Sequence, residues 1–103
     1  MNLSAIESKE RIPGYRGKMV HSKNMILAFW EVEKGAVAPE HFHPNEQIMH
    51  VLEGTFEFTL GGVTRTCHPG DIVIIEAGVP HSGRAITPCR LLDVFSPARE
   101  DYK

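Results

Sequence analysis

The sequence predicts an all-β fold, a small β-barrel or jelly roll built from short strands. Three observations support this prediction: runs of strand-forming residues recur at short intervals, glycine and proline separate them, and a helical hydrophobic period is nearly absent. The chain has 103 residues, of which 42% are hydrophobic and 23% are charged. We therefore expect residues 1–103 to form one domain whose core spans about residues 25–96.

Six segments carry the strand signal, and turn residues separate them. The Gly61-Gly62 pair has the form of a two-residue hairpin turn, and Pro69-Gly70-Asp71 marks another turn. The segment IVIIE is a nearly continuous apolar run, which predicts a strand buried on both faces or deep within a barrel wall. The predicted strands are MILAFWEVE (25–33), IMHVLE (48–53), TFEFTL (55–60), VTRTC (63–67), IVIIE (72–76) and RLLDVFS (90–96).

The N-terminal segment allows two interpretations. Ser4 followed by Glu7 has the form of a capping box, which predicts a short helical turn from Ser4 to Arg11 that ends at Pro13-Gly14. Alternatively, residues 1–17 pair with another subunit and cover an exposed sheet edge.

Charge and cysteine content exclude several functional classes. The formal net charge is -2, and no two Lys or Arg residues are adjacent, so a nucleic-acid partner is not expected. The polar N-terminus lacks a signal-peptide core and no stretch has membrane-spanning length, which predicts a cytoplasmic protein that does not contact a membrane. In that compartment, Cys67 and Cys89 are expected to be reduced, partly buried thiols.

Four side chains lie in two short segments with the spacing of a metal site. His41 and His43 are two residues apart and would share one face of a strand, with Phe42 on the other. Turns rich in glycine and proline would return His81 to the same place, and Gln47 would complete the set. Imidazole nitrogens bind divalent transition metals such as Ni, Zn, Mn, Fe or Co, whose identity this ligand set leaves open. The remaining histidines, His21, His50 and His68, are expected to be surface or core residues.

This spacing resembles the two signature motifs of the cupin superfamily, G(X)5HXH(X)3-4E(X)6G and G(X)5PXG(X)2H(X)3N. The first motif matches throughout, from Gly35 to Gly54, except that Gln47 replaces its glutamate. The second retains its glycines and histidine, while Glu76 and Ala85 replace its proline and asparagine. The resemblance covers about residues 25–96 and implies a cupin barrel with a bound metal.

The amide at position 47 changes the expected chemistry of the metal. Three imidazoles and an amide carry no charge, so a divalent ion would keep its full charge, bind more weakly and polarise substrate oxygens more strongly. The set also lacks the carboxylate of the triad typical of non-haem iron oxygenases, which disfavours redox chemistry with oxygen. Glu46 does not replace it, because on a regular strand it would face the opposite side.

The last predicted strand places a carboxylate on an apolar face. Leu91, Asp93 and Phe95 would share one face of the segment RLLDVFS, and a buried aspartate requires a partner or a chemical task. Arg99 follows where the chain could fold back towards Asp93. The two residues would form either a structural ion pair at the barrel mouth or an acid/base group with a cationic anchor for an anionic substrate.

Together, HFHPNEQIMHVLEG and LLDVFSPARED resemble the KdgF family of pectin-degradation cupins. The resemblance implies conversion of 4,5-unsaturated monouronates, released from pectin or alginate, into linear keto-aldehyde acids. It also implies metal ligands at His41, His43, Gln47 and His81, and catalytic roles for Asp93, Phe95 and Arg99. The partner would then be a small anionic sugar.

Two other functions remain open on the sequence alone. One is a metal-containing cupin that binds a sugar or another small molecule without turnover, and the other is a metal-dependent dioxygenase or isomerase acting on a different small polar substrate. Because small cupins commonly dimerise, a homodimer is expected in each case.

Overall fold

The computed structural model describes residues 1–99, which form ten β-strands and one short 3₁₀ turn, Leu3–Ala5. The all-β prediction is therefore confirmed. The strands are β1 (Lys9–Ile12), β2 (Tyr15–His21), β3 (Ile26–Val32), β4 (Val37–His41), β5 (Glu46–Glu53), β6 (Phe56–Leu60), β7 (Val63–Cys67), β8 (Ile72–Ile75), β9 (His81–Ala85) and β10 (Cys89–Ser96).

The strands form two antiparallel sheets arranged as a jelly roll. One sheet has the order β1-β2-β3-β10-β5-β8, and the other has the order β4-β9-β6-β7. Buried side chains from both sheets, such as Trp30 and Val51 from the first and Phe56 and Phe58 from the second, belong to one hydrophobic cluster. The sheets therefore pack face to face with the core between them.

Strand β10 lies in the middle of the six-stranded sheet, between β3 and β5. Its buried residues alternate with more exposed ones, so that Leu91, Asp93 and Phe95 point inward, as the period-two pattern predicted. The strand thus carries a carboxylate into the interior of the molecule.

The Gly61-Gly62 hairpin turn is confirmed between β6 and β7. Both glycines have positive φ angles, 55° and 84°, a combination that side chains with a Cβ rarely adopt. The register of the hairpin, in which Leu60 pairs with Val63, leaves only these two residues in the turn.

The prediction for the segment IVIIE is wrong in its burial. Strand β8 is an edge strand, and Ile72 and Ile74 are each 62% exposed on the outer face of the sheet, while Ile75 is fully buried. A continuous apolar run is compatible with two arrangements. Other parts of the chain can cover both faces of the strand, or its outer face can remain exposed, and the sequence alone does not distinguish them.

The helical prediction for the N-terminus is also wrong. Only Leu3–Ala5 form a 3₁₀ turn, which the Asn2 side chain caps by accepting a hydrogen bond from the Ser4 amide. Residues from Lys9 onwards form β1, which pairs with β2 of the same chain. Cys67 and Cys89 are buried free thiols, as expected. Within residues 1–99, no helix has the length and apolarity needed to cross a membrane.

Candidate metal centre and cavity

The predicted ligands come from two paired strands of the four-stranded sheet, one strand of the six-stranded sheet and one loop. His41 is the last residue of β4 and pairs with His81, the first residue of β9, while Gln47 lies near the start of β5. His43 lies beyond the end of β4, so the prediction that it shares a strand with His41 is wrong. The chain turns at Pro44 instead, and the loop still directs the His43 ring inward while Phe42 is 71% exposed.

The three imidazoles of His41, His43 and His81 converge on one point. One nitrogen of each ring lies within 4.8 Å of the corresponding nitrogens of the other two, a spacing that could hold a metal ion. The ring centroids are 4.2 Å apart for His41 and His81 and 4.9 Å apart for His43 and His81. The fold therefore brings together the histidines that the sequence singled out.

Each of these rings is oriented by a hydrogen bond from its Nδ1 atom to a backbone carbonyl two residues away. The distances are 2.8 Å from His41 to Pro39, 3.0 Å from His43 to Asn45 and 2.9 Å from His81 to Val79. A proton held on Nδ1 leaves the lone pair on Nε2, which is the arrangement that metal-binding imidazoles require. The Nε2 atom of His81 is buried and has no hydrogen-bond partner among the described residues.

Burial keeps the rings of His43 and His81 neutral. Burial is the main cause that lowers the pKa of His81 to about 4, and it also lowers the pKa of His43, helped in both cases by the positive charge of Arg99. Neutral imidazoles at physiological pH have the protonation state that ligation needs.

Gln47 brings a further oxygen to the same cluster. Its Oε1 atom lies 3.1 Å from His43 Nε2, and its side chain also hydrogen-bonds the carboxylate of Asp93. An ionised carboxylate only accepts hydrogen bonds, so the Gln47 amide nitrogen faces Asp93 and its oxygen faces His43. Two acceptor atoms, Oε1 and a deprotonated Nε2, are thus adjacent, and a shared cation would satisfy both. The donor set fits a metal ion.

Asp93 is a buried carboxylate beside this cluster. It accepts hydrogen bonds from Gln47 and from Trp30, while its Oδ1 atom is buried without a partner among residues 1–99. Burial raises the pKa of Asp93 to about 6, although both hydrogen bonds and the charge of Arg99 act in the opposite direction. The group can therefore accept or release a proton close to neutral pH.

A cavity of about 650 Å³ joins these groups. It is lined by His41, His81 and Gln47 as well as by the three residues predicted to be catalytic, Asp93, Phe95 and Arg99. The guanidinium carbon of Arg99 lies 5.2 Å from the centre of the Phe95 ring, within the range of a cation–π contact. A volume of this size is typical of a small-molecule site.

Sequence reasoning missed several residues of this cavity, among them Trp30 and Arg11. Trp30 hydrogen-bonds Asp93 because β3 and β10 are paired with both side chains directed inward, a relation that only the strand register reveals. Arg11 also lines the cavity, whereas the sequence predicts that it ends a short helical turn. The last two residues of the matching tail segment, Glu100 and Asp101, lie outside the described residues.

Comparisons with known proteins agree with this fold. A family model described as a cupin domain matches residues 28–95. The structure of KdgF from a Halomonas species is 30% identical, with a TM-score of 0.89 and with 94% of this chain and 91% of that chain covered. An RmlC-like cupin from Shewanella frigidimarina is 28% identical, with a TM-score of 0.95 and coverage of 100% and 94%. An uncharacterised protein of Streptomyces coelicolor is 27% identical over 81 residues, 78% of this chain and 77% of that protein.

Proposed function

Because this chain belongs to the cupin family, we propose that it converts 4,5-unsaturated monouronates into linear keto-aldehyde acids. The observation that carries the proposal is the buried carboxylate of Asp93, which lines the same cavity as the histidine cluster and Arg99. Similarity to KdgF over most of the chain supports it. The reaction is an isomerisation, so it needs no oxidant or reductant.

In this proposal, His41, His43 and His81 hold a divalent metal ion, and the Gln47 oxygen contributes a fourth ligand. A bound divalent ion supplies positive charge that stabilises negative charge developing on a substrate oxygen. The three imidazoles are neutral when they ligate a metal, and the Gln47 amide carries no charge. The ligands therefore do not neutralise the positive charge of the ion.

Asp93 moves the proton. The substrate is a cyclic hemiacetal whose ring oxygen is also an enol ether oxygen. Removal of the proton from the anomeric hydroxyl by Asp93 forms the C1 aldehyde, breaks the bond between C1 and the ring oxygen, and leaves an enolate. Return of the proton to C4 produces the C5 ketone. With a pKa of about 6, Asp93 is mostly ionised at pH 7 and can start this sequence as a base.

Arg99 and Phe95 position the substrate. The Arg99 guanidinium is suited to bind the uronate carboxylate, because it presents several donors in one plane. The Phe95 ring is 1% exposed and packs against both His43 and Arg99, so it forms a rigid apolar wall beside the sugar.

The direct test follows the ring alkene of unsaturated galacturonate by its ultraviolet absorbance, with the spontaneous reaction as the uncatalysed control. The protein is expected to accelerate the loss of absorbance, and Asp93→Asn is expected to reduce that rate about 10²- to 10⁴-fold. Asp71→Asn is the matched control, since Asp71 is an exposed carboxylate at the turn before β8. Full activity of Asp93→Asn would remove the proton-transfer role.

Two further measurements distinguish the other two functions from ring opening. Calorimetric binding of uronates with no acceleration of alkene loss would indicate a binding protein without turnover. Consumption of oxygen by iron-loaded protein would instead support a dioxygenase.

We also propose that the chain forms a homodimer through the outer face of its six-stranded sheet. Cross-strand pairing aligns five apolar residues there in one row, and three more apolar residues share the next row with Lys18 and His50. We call these eight residues the outer apolar face: Val20, Leu27, Phe29, Ile48, Ile72, Ile74, Leu92 and Val94.

The size and border of the outer apolar face suit a second copy. The two rows cross five strands spaced about 4.8 Å apart, and same-face residues on one strand are about 6.6 Å apart, so the outer apolar face is a strip about 24 Å by 13 Å. A strip of this size would form the apolar centre of an interface of ~800 Å² per partner, which the surrounding positions of the sheet would complete. Along one border, Arg90 lies within ion-pair distance of Glu31 and Glu53, so the charges there are already matched within the chain.

A further inference from the structure

Strand β1 contains an irregularity next to the cavity. Its pairing with β2 is regular at Lys9 and Glu10, shifts register, and resumes at Ile12, which leaves Arg11 as the extra residue of a bulge. β1 is also the edge strand of its sheet, and Glu10, Arg11 and Ile12 all line the cavity. Bulges on edge strands commonly redirect one side chain, and here that side chain is a guanidinium.

Arg11 lacks a counterpart for its charge within the described chain. Its Nε atom is buried and has no hydrogen-bond partner. Among residues 1–99, no carboxylate lies within ion-pair distance of it, although Glu10 and Glu40 line the same cavity. The Glu10 carboxylate accepts a hydrogen bond from the Gly14 amide instead.

A guanidinium remains charged in proteins at any ordinary pH, so it cannot become neutral to reduce the cost of burial. A buried Nε–H without a partner is rare in native structures, and it is satisfied where a ligand supplies the acceptor. The cavity that Arg11 lines also contains Asp93 and Arg99. The ligand that would pair with Arg11 is therefore the one that occupies this cavity.

We propose that Arg11 is a specificity-determining residue that binds the carboxylate of the substrate together with Arg99 and selects acidic over neutral sugars. The inference rests on the proposed function for the choice of substrate. It assigns Arg11 to binding and not to proton transfer. The two guanidinium groups that bind the carboxylate then come from different parts of the chain: Arg99 lies in the segment after β10, and Arg11 lies on the edge strand β1.

The experiment compares an acidic ligand with its neutral ester. Binding of galacturonate and of galacturonate methyl ester to the metal-loaded protein is measured by calorimetry, for the wild type, Arg11→Gln and Arg11→Lys. Lys9→Gln is the matched control, because it removes one positive charge from the same strand at an exposed position outside the cavity. The melting temperature without ligand confirms that each variant is folded.

The wild type is expected to prefer the acid, and Arg11→Gln is expected to reduce that preference about tenfold or more, while the affinity for the ester changes little. Arg11→Lys should retain only part of the preference for the acid, because lysine keeps the positive charge but lacks the Nε–H group. In turnover, Arg11→Gln should raise the KM for unsaturated galacturonate and leave kcat nearly unchanged.

Equal weakening of acid and ester in Arg11→Gln would show a structural role and overturn the inference, as would an unchanged preference for the acid. Calorimetry does not depend on turnover, so the two proposals fail separately. A wild type that binds the acid through Arg11 without accelerating alkene loss contradicts the ring-opening function alone.

Discussion

Among single residues, Gln47 contacts both the histidine cluster and the buried carboxylate of Asp93. Its oxygen lies 3.1 Å from His43 Nε2, and the same side chain hydrogen-bonds Asp93. An amide can serve both neighbours, because it carries an acceptor and a donor, whereas an ionised carboxylate can only accept. In the proposed function, the residue type at position 47 would therefore couple metal affinity to the protonation of Asp93.

Gln47→Glu is expected to bind a divalent metal about tenfold more tightly or better, because it adds a negative charge beside three neutral imidazoles. It should also raise the pKa of Asp93 further, since two carboxylates would then be adjacent, and reduce activity at pH 7. Competition with a chelator measures the affinity. Glu46→Gln, on the same strand but exposed, is the control. Unchanged metal affinity in Gln47→Glu would indicate that residue 47 is not a ligand.

Residue types and spacing predicted the main components of the site, but not their partners. His41, His43, Gln47 and His81 were identified from two short segments, and the structure brings them together. The carbonyl bonds that orient the rings, and the bond from Trp30 to Asp93, depend on loop conformation and strand register. Such relations depend on the folded backbone and were therefore not available from spacing.

Among the elements, the loop between β5 and β6 shows why one motif position requires glycine. Gly54 has a φ of +85°, and a Cβ atom there would collide with the Pro88 carbonyl oxygen and lie 2.8 Å from Thr87 Oγ1 and 2.9 Å from Cys89 Sγ. The loop thus packs directly against the start of β10, the strand that carries Asp93.

Gly54→Ala is expected to destabilise the protein by more than about 2 kcal/mol, because the cost of the positive φ is added to a collision with backbone. Gly62→Ala is the matched control: its φ is +84°, but no atom lies within 4 Å of the added Cβ, so about 1–2 kcal/mol is expected. Urea denaturation measures both. Equal losses in the two variants would show that the contact with Pro88 contributes nothing.

The positions of most strands along the chain are easier to predict than the burial of their two faces. Five of the predicted segments became β3, β5, β6, β7 and β10 close to their predicted bounds, because strand-forming residues and the turns between them act locally. The prediction missed β2, β4 and β9, placed His43 on a strand, and was wrong about the burial of β8 and the conformation of the N-terminal segment. For β8 and the N-terminal segment, the outcome depends on which sheet edge the segment joins and on whether its outer face is covered, and both are properties of the assembled sheet.

At the scale of the whole molecule, the proposed metal would link distant parts of the chain, since its ligands lie on β4, β5, β9 and the loop after β4. At a free metal concentration of about 100 times Kd, binding adds about 2.7 kcal/mol to the stability of the folded state. For a domain of this size, we expect removal of the metal by a chelator to lower the melting temperature by about 10 °C or more.

His81→Ala should abolish that shift, because in the proposed site the His81 ring would supply a buried ligand nitrogen. His50→Ala should keep it, since His50 lies on the outer face of the sheet and pairs with Ile72. Differential scanning calorimetry with and without chelator distinguishes the two. Equal shifts in both variants would contradict the assignment of His81 as a ligand.

The outer apolar face leads to a prediction about assembly. An antiparallel sheet with one solvated face normally alternates apolar and polar residues, yet here the solvent-facing positions of β8 are both isoleucine. We expect a homodimer in sedimentation experiments. Ile74→Lys should yield a monomer, because a symmetric interface contains each side chain twice and burial of one isoleucine contributes about 1.5–3 kcal/mol. The dimer dissociation constant should therefore rise at least about 100-fold.

Val63→Lys is the matched control for that experiment, since Val63 is 55% exposed but belongs to β7 of the other sheet. It should remain dimeric, with unchanged circular dichroism in both variants as the check on folding. A wild type that sediments as a monomer at high concentration would contradict the proposed interface. A dimer that persists in Ile74→Lys would move the interface elsewhere, and the edge strand β1, whose outer side is unpaired within the described chain, would be the next surface to test.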